Sequence, residues 1–237
     1  MRNDRFARLL AAALCALGAT LAHADLPDYQ VLPADGTRLL LWVSDERGRT
    51  PAELDAAEQL AAHGVETWSL DLANAYFLPQ LPRSLDQVPV DDLVAWLRAA
   101  QSGGKSVTVY AVARAAVPLL RAAAALERPE RERLCMMLMY PNLYTVAEPL
   151  AEPEYLNFGR LAGLRVHVLQ PRRSAATPWL PGLLDSLSGQ GAAVRHVIWE
   201  NLRERYWMRE TPTDFEIAES RRLHERLLKE LEEWGCR

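Results

Sequence analysis

Val107-Thr108-Val109-Tyr110-Ala111-Val112-Ala113-Arg114-Ala115-Ala116 is the stretch on which the reading of this chain turns. Branched and aromatic residues at its start mark a strand buried on both faces, and a run of small residues then leads into the apolar helix Ala115 to Leu126. The same pattern recurs on either side. Arg38 to Ser44 is a short apolar strand. Thr50-Pro51-Ala52-Glu53 starts a helix with a capping residue, a first-turn proline and a third-position glutamate, and Gly64 ends it. Val65 to Leu70 resumes as strand and Asp91 to Ala100 as helix. Beyond the opening stretch, Cys135 to Tyr140, Leu164 to Gln170 and Ala193 to Trp199 read as strands, with a helix from Trp179 to Ser188 before the last of them. One long helix from Phe215 to Trp234 closes the chain. Such alternation predicts an α/β protein: a three-layer sandwich with a mostly parallel sheet of about six strands and helices on both faces. The proline-bearing stretch Phe77 to Pro89 reads as a surface connection.

With 237 residues, 49% of them hydrophobic and 24% charged, the chain has the composition of a folded globular protein. A formal net charge of -4 argues against a nucleic-acid partner or a broad anionic-lipid surface. Residues 1–24 read as a secretory leader: Arg2, Arg5 and Arg8, then an apolar stretch from Leu9 to Leu21, then the small-x-small site Ala22-His23-Ala24. That stretch is too short to span a bilayer, so the expectation is a periplasmic or secreted domain over residues 25–237 with no stable membrane anchor after cleavage. In an oxidising compartment Cys135 and Cys236 are candidates for one disulfide. They cannot make a zinc site alone, and no cofactor or metal is expected.

The order of these elements, and the strand–turn–helix passage at Ala113, resemble the α/β-hydrolase fold. The resemblance covers nearly all of Arg38 to Trp234 and implies a nucleophile elbow of the form Gly-x-Ser-x-Gly, a strained turn that lifts the serine above the sheet. Here the pentapeptide is Ala111-Val112-Ala113-Arg114-Ala115. Its small residues keep the packing, but Ala113 has no atom with which to attack. The resemblance also implies an acid after the strand ending at Gln170, where Pro171-Arg172-Arg173-Ser174 offers none. It implies a histidine after the last strand, where Glu204 stands nearest the place. At the oxyanion loop Ser44-Asp45 sets an aspartate against developing negative charge. The expectation is a catalytically degenerate member, a pseudoenzyme that binds an unknown small molecule or a periplasmic protein. The alternative is an esterase-type hydrolase using Ser44 or Ser69.

In open parallel sheets the carboxyl ends of the strands form the ligand crevice. The candidates there are Ser44, Asp71, Tyr76, Arg114, Tyr140, Asn142, Tyr144, Arg172 and Glu204, with Arg114 able to hold an anionic group or, more plainly, to pair with Asp71 or Glu204. Elsewhere the residues have structural explanations. His63, His167, His196 and His224 fall before a helix-ending glycine, in strands and in the charged last helix. Asp91 and Asp92 suit a helix start. Gly103-Gly104-Lys105-Ser106 precedes a strand instead of following one, which a phosphate loop would do.

Overall fold

The computed structural model describes residues 26–145 and 152–234. The leader expected at residues 1–24, and with Cys236 the expected disulfide, lie outside them. Seven strands form one sheet: β1 (Gln30–Leu32), β2 (Arg38–Val43), β3 (Val65–Leu70), β4 (Ser106–Val112), β5 (Leu134–Met139), β6 (Arg165–Pro171) and β7 (Ala193–Trp199), in the order β1-β3-β2-β4-β5-β6-β7. All neighbours pair in parallel except β1, which lies antiparallel to β3 along the edge. The six parallel strands are those the sequence predicts. The antiparallel β1 was not expected, because three residues carry too little pattern to read.

Alternate side chains of the central strands feed two cores. Leu39, Leu41, Val107, Val109, Met136 and Leu138 pack on one face under helices Val90–Ser102, Ala116–Ala125 and Leu180–Gly189. Leu40, Trp42, Tyr110, Met137 and Leu169 pack on the other under Pro51–Ala62 and Leu223–Trp234. Cys135 is fully buried in β5. Thr50 caps its helix as the sequence implies, with Glu53 returning a bond to the Thr50 backbone. The single last helix is in fact two, Asp214–Arg221 and Leu223–Trp234. Thr213 and Glu216 form a capping box at the start of the first, a signal the sequence carried in plain view. Phe77 to Pro89 is also more than a surface connection: it contains a 3-10 turn, Pro82–Gln87, and it buries Leu85 and Val88 in the first core.

Candidate functional site

The site is built where β4 ends. Val112 is extended, and Ala113 then turns to φ 51 before the chain enters the helix at Ala116. A non-glycine residue rarely holds that left-handed conformation, because Cβ crowds the backbone by about 1–2 kcal/mol. The turn is therefore strained, with only a methyl group at its apex. Ala113→Gly should accordingly stabilise the fold by about 0.5–1 kcal/mol in urea denaturation, whereas Ala→Gly at an ordinary buried position destabilises.

Ala113 lines an open cavity of about 790 Å³, a size that suits a small-molecule ligand. Arg114, Tyr140, Asn142, Tyr144 and Glu204 line the same cavity, as the sequence reading placed them. Four other expected members do not. Ser44 is fully buried, with its hydroxyl 3.4 Å from Glu53 Oε2. Asp71 caps a short helix by accepting from the Asn74 N–H, and it lines a separate small hollow. Tyr76 donates to Asp92, 3.1 Å away. Arg172 turns outward to Glu200, 2.7 Å away at the exposed surface. Each of these four side chains is engaged by a partner outside the cavity lining. Ser69 is buried in β3 and also lies outside the cavity lining. Among the described residues no three His, Cys, Asp or Glu side chains converge as metal ligands would.

Arg114 is held, not free. It is 3% exposed, and its guanidinium grips the Asp86 carboxylate with two nitrogens, Nε at 2.8 Å from Oδ1. Nη1 donates to the Tyr144 carbonyl at 2.7 Å and to the Asn142 carbonyl at 3.3 Å. Its partner is thus neither Asp71 nor Glu204. Asp86 sits in the 3-10 turn Pro82–Gln87, within the stretch that the sequence predicts as a surface connection. The apolar Leu85 and Val88 beside it were the available signal that this loop turns inward.

The cavity lining also carries Arg205, whose Nε lies 2.8 Å from Asp45 and whose Nη2 lies 2.6 Å from Glu46. Burial raises the Asp45 carboxyl above its ordinary range, opposed by the Arg205 charge. Behind it, burial pushes Glu53 up to about 7 against the bonds from Thr50 that favour its ionised form. Ser174 donates to Glu204, so these two occupy the loops after β6 and β7 where an acid and a histidine were sought. Burial, and after it the Glu204 carboxylate, pushes the Tyr144 phenol up to about 12. Five non-glycine residues among those described have positive φ, and three of them, Ala113, Tyr140 and Arg205, line this one cavity. The stretch Arg203 to Trp207 was expected above the strand ends and does bring Arg205 to the cavity, whereas Arg47, Arg209 and Trp179 were missed, since nothing local distinguishes these arginines from other surface cations.

Neither a family model nor a curated protein sequence matches the chain. Solved structures do. The Pyrobaculum calidifontis esterase superposes with a TM-score of 0.59 at 10% identity, covering 88% of this chain and 86% of its own. The HSL-homolog EstE7 from a metagenome library gives 0.56 at 14%, covering 86% of each chain. Thermogutta terrifontis esterase 2 gives 0.51 at 14%, covering 88% of this chain and 92% of its own. At these identities the likeness is one of fold, and the fold is α/β-hydrolase-like.

Proposed function

We propose that this protein is an exported α/β-hydrolase-like scaffold that binds a small ligand at its elbow cavity without turning it over through a serine triad. One observation carries the reading: the strained left-handed turn is kept at Ala113, facing an open cavity, while the side chain there is a methyl group. Strain of this kind persists where the surroundings over-determine it, and it clusters at ligand sites. Losing nucleophile, base and acid together leaves binding and polar contacts as what the site can supply. The four histidines in the described residues, His63, His167, His196 and His224, are all absent from the cavity lining. Ser44 and Ser69 are buried away from it, which weighs against either as an alternative nucleophile.

The test is to incubate the purified secreted form with short acyl esters and a serine-directed fluorophosphonate. No labelled serine and no turnover above buffer are expected. Covalent labelling of any one serine overturns the proposal. Ala113→Ser alone should also show no appreciable turnover, because the hydroxyl gains no imidazole to take its proton. Ester hydrolysis by that variant at the rate of an ordinary esterase would mean that a base had been overlooked.

A further inference from the structure

The charges around the cavity are unevenly divided between its interior and its mouth. Inside, Arg205 serves two nearly fully buried carboxylates, Asp45 and Glu46, while Arg114 is taken by Asp86. Glu46, 3% exposed, keeps Oε2 buried with no hydrogen-bond partner among the described residues. Glu204 is half-buried in the wall; it accepts the Ser174 hydroxyl and makes no ion pair among the described residues. Arg114 and Arg205 are thus each matched by at least one carboxylate, and Glu204 is left over. At the mouth the balance reverses. Arg47 and Arg209 are exposed and have no carboxylate within ion-pair distance among the described residues; Arg209 reaches only the Glu204 carbonyl, at 3.3 Å. Tyr144 and Trp179 supply aromatic surface in the lining.

A simple anion would be met inside by uncompensated carboxylate, and a simple amine would be met at the mouth by two arginines. A molecule carrying both charges satisfies both ends. Its ammonium gains a charge-assisted bond to Glu204 with aromatic faces nearby, and its anionic group gains guanidinium donors. Resting on the binding reading above, we infer that the cavity takes a small zwitterion, with the ammonium inward at Glu204 and the anionic group outward at Arg47 and Arg209.

Calorimetric titration of the secreted protein with 6-aminohexanoate, its shorter homologue 4-aminobutanoate, hexylamine and hexanoate tests this. At least one amino acid should bind about tenfold or more tightly than either singly charged compound. Glu204→Gln should weaken the amino acid and hexylamine about tenfold and leave hexanoate unchanged, while Arg209→Gln should weaken the amino acid and hexanoate. Ala175→Trp, at an exposed position on the cavity lining, should block all of them without unfolding the chain. Hexanoate binding as tightly as the amino acids, or Glu204→Gln leaving amino-acid affinity unchanged, overturns the zwitterion. If such binding is still blocked by Ala175→Trp, the cavity remains a binding site for another class of ligand. Binding by none of the four also overturns the zwitterion.

Discussion

Arg114→Met is expected to destabilise the protein by about 3–5 kcal/mol, because it removes one partner of a buried ion pair and leaves the other without its counter-charge. The Arg114 side chain is 4% exposed and that of Asp86 24%, so the aspartate can recover some hydration and the lower half of the range is the better expectation. Two further groups lose their donor: the carbonyls of Asn142 and Tyr144, which Arg114 ties to the elbow. The loss should therefore be felt at the cavity wall as well as in the global melt. For a domain of this size it corresponds to about 6–20 °C in Tm. Adding Asp86→Asn should recover part of it, since the orphaned charge is then gone. A loss below about 1 kcal/mol would place the pair among ordinary surface bridges and remove Arg114 as the strut of the site.

The second large effect is a pH dependence. Glu53 has an ordinary value of 4.5 and a folded-state value of about 7, raised by burial. Between these values the unfolded chain has released the proton while the folded chain retains it, so stability falls as pH rises through this window and stays lowered above it. The accumulated penalty is on the order of 3 kcal/mol by pH 8. Glu53→Gln keeps a side chain that can serve in the capping box and cannot ionise. The variant should match the wild type near pH 5 and exceed it by several degrees in Tm near pH 8. A difference that stays constant from pH 5 to pH 8 would show that burial does not raise Glu53 above its unfolded value. Asp45, raised in the same direction, contributes to the wild-type slope and is common to both proteins.

The architecture was legible because parallel strands buried on both faces announce themselves as short apolar runs between capped helices. What escaped was small or non-local. The strand at Gln30 owes its place to pairing with β3 and not to its own three residues. The break at Arg222 falls between two amphipathic segments with no glycine or proline to mark it. At the site, the missing reactive atom could be read from the letter at position 113, yet the left-handed turn there could not, because alanine does not advertise that conformation. Arg114 was found and misassigned. Its charge was plain, but the carboxylate that neutralises it comes from Asp86, 28 residues upstream and on another element, and sequence spacing does not encode that meeting.

The two margins of the sheet bear on how the molecule behaves at high concentration. An unpaired strand edge is a template on which another copy can add and propagate. On one side the last strand is only three residues long and is closed by Pro33 immediately after it. On the other, β7 exposes Arg195 and His196 in mid-strand, and the Arg195 guanidinium lies over the Trp234 ring at 5.8 Å. Brevity and proline blunt one margin, and polar side chains interrupt the other. Both work against fibril-like growth by sheet extension.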